Sequence, residues 1–248
     1  RRAEGRTAGT PIVTACLSRP DWPYAVGVES LSMIVGWTAT VVGATLGLPQ
    51  LFRILKTRSV AGMSLIAWQS MLVVGLIWFA HGFSIGQAPQ IVTTTIGTLI
   101  TLPILVLMVR HLDRRLLPVL LPCLVAAAAL IAVDRLFGST VFGIVAIVPA
   151  VVSNAGQSVE LVRALSLHGV SLVYTVAASV NQLLWLVWAI LIGDPGSTIS
   201  AASGLVIVGF NLVWLLLRRA GLRAFFPHGT DVEEPAVIDV AGMPVRAD

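Results

Sequence analysis

Two stretches of sequence decide the fold: LPQLFRILKTRSVAGMSLIAWQ at residues 48–69 and AGQSVELVRALSLHGVSLVYTV at residues 155–176. At an offset of 107 positions, residues 50–108 align with residues 157–215 without a gap. Matches among Leu, Ile and Val would arise from composition alone, so the other residue types carry the comparison. They are Gln50/Gln157, Ser59/Ser166, Gly62/Gly169, Ser64/Ser171, Trp78/Trp185, Gly86/Gly193 and Gly97/Gly204. A register kept over this length indicates an internal duplication.

The sequence around this repeat has the composition of a membrane protein. Of its 248 residues, 56% are hydrophobic and 11% are charged, whereas a soluble domain carries roughly 25% charged residues. So few charges could not cover a water-facing surface. A membrane-spanning helix needs about 20 apolar residues. Seven runs meet that length, at residues 30–51, 65–84, 89–109, 115–133, 139–158, 171–192 and 198–217.

Each copy of the repeat contains three of these spans, and the extra span lets both copies insert in the same sense. The prediction is an all-α membrane protein with a 3+1+3 parallel repeat of two triple-helix bundles. Its parts are a flexible tail (1–28), a first repeat (29–110), a linker helix (111–137), a second repeat (138–219) and a disordered tail (220–248). Parallel repeats of this kind occur in transporters, with the substrate site where the repeats meet.

The distribution of arginine predicts the orientation. With the N-terminus outside, the inner segments contain Arg53, Lys56, Arg58, Arg110, Arg114, Arg115, Arg163, Arg218, Arg219 and Arg223, and the outer loops contain Arg135. Four arginines in the outer tail oppose this assignment, but short loops near span ends count most. We therefore predict a cell-membrane protein with a cytoplasmic C-terminus. Arginine in place of lysine suggests a GC-rich, bacterial genome.

The residues that could carry chemistry favour neither catalysis nor ion coupling. Cys16 and Cys123 lie in different settings, and the sequence contains no nucleotide-binding loop, metal cluster or nucleophile–base pattern. An enzyme, a cofactor and a nucleic-acid partner are therefore not expected. The acids Glu29, Asp134, Glu160 and Asp194 fall at span ends or in loops, which favours uncoupled transport. His81 is interpreted as a polar cap near the outer end of its span. Four tryptophans are interpreted as interfacial anchors: Trp37, Trp68, Trp188 and Trp214.

The first copy resembles the SWEET and SemiSWEET sugar transporters of the wider PQ-loop family. The similar features are the Pro-Gln dipeptide, the basic loop that ends in GMSL, and the segment LIWFAHG at residues 76–82. The resemblance covers roughly residues 31–110 and, more weakly, residues 139–218. It implies downhill movement of a small neutral solute, a sugar in that family, by alternating access. The expected partners are that solute and membrane lipid, and a homo-oligomer is left open.

The resemblance also implies which residues form the site. In the family, sugar lies between a tryptophan and an asparagine of each unit. The tryptophan positions hold Trp78 and Trp185, whereas the asparagine positions hold Thr94 and Ala201. Asn181 is one helical turn from Trp185 and could replace a missing amide.

The dipeptide that gives the PQ-loop family its name differs between the two copies. The first copy keeps Pro49-Gln50, and the second has Gly156-Gln157. The proline of that dipeptide supports helix bending in the family, and glycine can serve as a looser hinge.

Two other functions remain open at this point. One is a carrier of an amino acid or another metabolite. The other is a non-transporting membrane receptor or assembly protein, which the loss of both family asparagines favours.

Overall fold

The fold is a ring of long helices, seen in a computed structural model that describes residues 22–57, 60, 63–165, 167 and 170–225. Within this part the helices are α1 (Trp22–Thr57), α2 (Leu65–Ser84), α3 (Ala88–His111), α4 (Leu116–Arg163), α5 (Leu172–Ile192) and α6 (Pro195–Arg219). All six are long and apolar enough to cross a membrane. The chain is a multi-pass membrane protein.

The predicted segments differ from the described ones at the ends of the chain. Helix α1 begins at Trp22, so residues 22–28 of the predicted tail are helical, because the apolar run continues in this direction. Residues 1–21 and 226–248 lie outside the described residues. So do four residues of the repeat comparison, Ser59, Gly62, Ser166 and Gly169.

The two copies start their second helices in the same way. The Ser64 hydroxyl accepts a hydrogen bond from the backbone N–H of Ala67 at the start of α2. The equivalent Ser171 hydroxyl accepts one from the N–H of Tyr174 at the start of α5. A serine at this position satisfies an N–H that has no partner within the helix. The shared cap explains why α2 and α5 begin at equivalent positions, Leu65 and Leu172.

Helix α4 is interrupted at Gly138, which has φ 82° and ψ 172°. These angles suit glycine and few other residues. A continuous helix of 48 residues would be about 72 Å long, more than twice the roughly 30 Å hydrocarbon core of a bilayer. The predicted spans 115–133 and 139–158 both fall inside α4, on either side of Gly138. The interruption coincides with the predicted boundary between the linker helix and the second repeat.

Contacts between the helices follow the duplication. Helix α1 packs on α3 and α5, α2 packs on α3 and α4, and α6 packs on α4 and α5. The order around the ring is therefore α1, α3, α2, α4, α6, α5. In each copy the last helix lies between the other two. Apolar clusters hold the ring together, one between α2 and α4 around Ile77 and Phe142, the other between α1 and α3 around Ile54 and Ile104.

The two ends of the ring differ in charge. The arginine-rich end contains Arg53, Arg110, Arg163 and Arg218. There the Arg218 guanidinium donates to the carbonyl oxygens of Leu161 at 2.9 Å and Ala164 at 2.6 Å, which ties α6 to the last turn of α4. The opposite end, called here the His81 end, holds the turns α2–α3 and α5–α6 together with Gly138.

Candidate functional site

A cavity of about 450 Å³ lies inside the ring and is lined by residues of all six helices. This volume falls in the range of small-molecule sites. All five predicted substrate contacts line it: Trp78, Thr94, Asn181, Trp185 and Ala201. The two tryptophans come from equivalent positions of α2 and α5. The fold thus brings the predicted residues together, and their contact with a solute stays a prediction.

The predicted hinge residues lie away from this cavity. Pro49 is exposed within α1, and the side chain of Gln50 is outside the described residues. Nothing lies within 4 Å of the position that a side chain at Gly156 would occupy. Gln157 is half-buried. The hinge assignment therefore also stays a prediction.

Four residues that line the cavity contain a buried polar atom that has no hydrogen-bond partner among the described residues. These atoms are Gln90 Oε1, Asn181 Oδ1, Ser197 Oγ and Trp188 Nε1. A buried polar atom left unpaired is costly, so a solute that supplies hydroxyl groups would relieve that cost. Among the described residues that line the cavity, none is charged. The surroundings therefore suit a neutral polar solute.

Three of these residues were missed by the sequence analysis. The interpretation of Trp188 as an interfacial anchor was wrong, because its side chain is 1% exposed and its ring packs edge-on against Trp185, with centroids 5.1 Å apart. The three-residue spacing from Trp185 was a usable signal for this contact. Gln90 and Ser197 had no such signal, although they are equivalent positions of α3 and α6.

The cavity is closed towards the His81 end. There the lining residues Gln90, Trp188 and Ser197 are 4%, 1% and 6% exposed. The more exposed lining residues, Met71 at 43% and Tyr174 at 46%, lie towards the arginine-rich end. A solute would therefore have to reach the cavity from a side other than the His81 end.

The closed side ends in a group of three titratable side chains. His81 Nδ1 lies 3.0 Å from Asp134 Oδ2, and His81 Nε2 lies 3.1 Å from Asp194 Oδ2. His81 is 1% exposed, so the interpretation as a polar cap was incomplete. It is a buried imidazole between two carboxylates.

The Asp194 carboxylate is held by residues of its own half as well as by His81. It accepts hydrogen bonds from the Ser139 hydroxyl at 2.5 Å and from the backbone N–H of Ser197 at 2.7 Å. Burial favours the neutral acid, but the bonds from His81, Ser139 and Ser197 outweigh it and hold the pKa of Asp194 well below its ordinary range. Asp194 is therefore ionised near neutral pH.

No three His, Cys, Asp or Glu side chains in the described part of the chain are arranged to hold a metal ion. The polar groups of the site are thus the neutral ones of the cavity and the His81 group beside it.

Comparison with known proteins gives a family model that matches part of the chain and a similar fold. The family described as PQ loop repeat matches residues 31–91. Among solved structures, a eukaryotic SWEET transporter determined at 3.7 Å matches with a TM-score of 0.60 and 15% sequence identity. The match covers 77% of this chain and 99% of the other. No curated protein matches the chain. The bacterial origin stays a prediction.

Proposed function

We propose that this chain, a PQ-loop protein with the fold of a SWEET transporter, moves a small neutral solute across a membrane. The observation that carries the proposal is the cavity. Both halves of the repeat line it, with equivalent tryptophans, unpaired polar atoms and no charged side chain among the described lining residues. The proposal assigns the chain no catalytic step.

The solute we propose is a sugar or another polyhydroxylated molecule. An indole face suits the C–H face of a sugar ring, and convergent polar groups fix its orientation. Trp78 and Trp185 would supply the faces, whereas Asn181, Gln90 and Ser197 would meet hydroxyl groups. Thr94 already donates to the Gln90 carbonyl at 2.8 Å, so it would act as an acceptor. Ala201 offers a small surface where the family has an asparagine.

We propose that transport is downhill and occurs by rocking of the two halves. In this account α4 forms two spans, which meet at Gly138, and gives the 3+1+3 arrangement of seven. Pro49 and Gly156 would let α1 and α4 bend, because proline lacks a backbone donor and glycine tolerates many backbone angles. The arginine-rich end would face the cytoplasm of a cell, in line with the preference of basic residues for that side.

The direct test is solute flux in proteoliposomes. Radiolabelled glucose, sucrose, mannitol and alanine would be offered to the wild type, and we expect saturable flux of a sugar or polyol. Trp78→Ala and Trp185→Ala should each lower that flux by at least about tenfold, since a stacked aromatic contact and its area are lost.

The matched control is Trp37→Ala. Trp37 is an exposed tryptophan of α1 that does not line the cavity, so its loss should leave flux near the wild-type value. Flux unchanged in both cavity variants would refute the site. Alanine flux without sugar flux would favour an amino-acid carrier, and sugar binding without flux would favour the receptor function suggested by the changed asparagine positions.

A further inference from the structure

The His81 group contains more hydrogen-bond acceptors than a neutral imidazole can serve. A neutral imidazole has one N–H donor and one acceptor nitrogen, whereas an ionised carboxylate only accepts. Both ring nitrogens of His81 lie within 3.1 Å of a carboxylate oxygen. The two contacts together therefore require one proton more than neutral His81 with two carboxylates. That proton is on the imidazole or on a carboxyl group.

The three side chains come from both halves of the molecule. His81 belongs to α2 and Asp134 to the part of α4 before Gly138, and these two helices pack together through an apolar cluster around Leu72 and Cys123. Asp194 belongs to the turn between α5 and α6 in the other half. The contact between His81 and Asp194 is therefore a link between the halves, whereas that with Asp134 stays within one side.

Among the residues that the structure describes, the charged groups that contact His81 are Asp134 and Asp194. Asp134 approaches from α4 and Asp194 from the α5–α6 turn. Helix α3 contributes the uncharged Gln90, which packs against Gly82 of α2. The neighbouring Arg135 turns away and donates to the Ser84 hydroxyl at 2.9 Å. The bound proton thus supplies a positive charge that offsets part of the negative charge of the two carboxylates.

Two of the three side chains, His81 and Asp194, contact residues that line the cavity. The Trp78 ring meets the His81 ring edge-on, with centroids 5.4 Å apart and planes at 90°. Ser197, which lines the cavity, donates its backbone N–H to Asp194. A movement of either half would therefore change the surroundings of both Trp78 and His81.

We propose that His81, Asp134 and Asp194 form a proton-binding site whose occupancy holds the His81 end closed, so that a proton leaves when this end opens. With the proton bound, His81 donates to both carboxylates. Without it, one carboxylate oxygen faces a ring nitrogen that also accepts, and the link between the halves weakens. The closed state is therefore favoured at low pH and lost as pH rises. This rests on the proposed function only for the idea that the end opens.

The test measures opening directly and uses no solute. Phe83 and Ile190 are exposed, equivalent positions of α2 and α5 near this end. Spin labels at Phe83→Cys and Ile190→Cys, in a background with Cys16→Ser and Cys123→Ala, report the distance between the halves in bilayers. We expect a longer-distance population to grow between about pH 5 and pH 9, with the open-to-closed ratio changing by up to about tenfold per pH unit for one proton.

Two variants and one control give the result its meaning. His81→Gln keeps one donor and one acceptor and loses the titration, so its distances should not depend on pH. Asp194→Asn removes one acceptor charge and should flatten the response as well, which keeps the test decisive if one variant fails to fold. His111→Gln alters an exposed histidine at the arginine-rich end and should keep the wild-type profile.

The proposal would be overturned if the distance between the spin labels did not change with pH in the wild type. It would also be overturned if the His81→Gln variant kept the wild-type dependence on pH. The outcome is separable from that of the flux assay. A pH response without flux would remove the proposed function and keep the proton site, whereas flux without a pH response would do the reverse.

Discussion

His81 and Trp188 occupy equivalent positions of α2 and α5, 107 residues apart, yet they join the two halves by different means. His81 contacts Asp194 through a hydrogen bond and stacks on Phe142, with ring centroids 4.8 Å apart. Trp188 lies against Gly36 and Pro89 on the other side of the ring. One contact is a hydrogen bond to a carboxylate, and the other is packing against a glycine and a proline.

The two copies have kept the same arrangement of helices, whereas the side chains between the helices have changed. The backbone positions that set the distance between helices are retained, such as Gly36 and Gly143, which are 107 residues apart. The side chains that fill the space have diverged. The cavity is thus lined by both halves and unequal in its polar groups, as the equivalent residues Val74 and Asn181 illustrate.

The largest expected effect on solute binding is that of replacing Asn181. Asn181 lines the cavity, and its Oδ1 atom is buried without a hydrogen-bond partner among the described residues. A solute hydroxyl is the donor that we propose for it. Asn181→Val should weaken binding by about 1–3 kcal/mol, or roughly 5-fold to 150-fold. The measurement is the KM for the sugar or polyol that the reconstituted wild type carries best.

The matched control for Asn181 is the equivalent residue of the first copy. Val74→Thr places a hydroxyl in a similar volume on α2 and should change the KM much less than Asn181→Val. If both variants behave alike, the polar asymmetry of the cavity has no role in binding.

A smaller effect is expected from the two equivalent glycines, and it concerns stability. A side chain at Gly143 would come within 2.5 Å of the backbone of Gly196, whereas one at Gly36 would come within 2.8 Å of the Trp188 ring and 2.9 Å of a Pro89 side-chain atom. Backbone cannot move aside as readily as a side chain. Gly143→Ala should therefore destabilise by about 1–3 kcal/mol, and Gly36→Ala by less.

Thermal unfolding of the purified protein in detergent checks this order. The Tm should fall by several degrees in Gly143→Ala and by a smaller amount in Gly36→Ala. An equal or larger fall in Gly36→Ala would mean that the Trp188 contact is as rigid as the contact between backbones.

The sequence predicted the internal repeat and the apolar helices because both produce local or periodic patterns of residues. The bounds of α2 and α5 follow from the apolar runs, and the equivalence of Trp78 and Trp185 follows from the offset of 107 residues. The joining of His81, Asp134 and Asp194 was not predictable in this way. It depends on the order of helices around the ring, which hydropathy does not contain.

The start of α1 and the partners of Trp188 were missed for related reasons. Apolar residues near a polar tail give no clear start signal, and an inward tryptophan has the same composition as an interfacial one. Gln90 and Ser197 belong to the site because the packing of the helices places them beside the cavity, and the sequence pattern does not contain that packing.

Transport by alternating access is tested most directly by measuring whether a thiol reagent reaches the cavity from each side of the membrane. Ala201→Cys would place a thiol in the cavity, in the background with Cys16→Ser and Cys123→Ala. In oriented proteoliposomes, a membrane-impermeant thiol reagent should reach it from the arginine-rich side at rest. With the transported sugar or polyol present, it should react from both sides. Reaction from one side under every condition would contradict transport by alternating access.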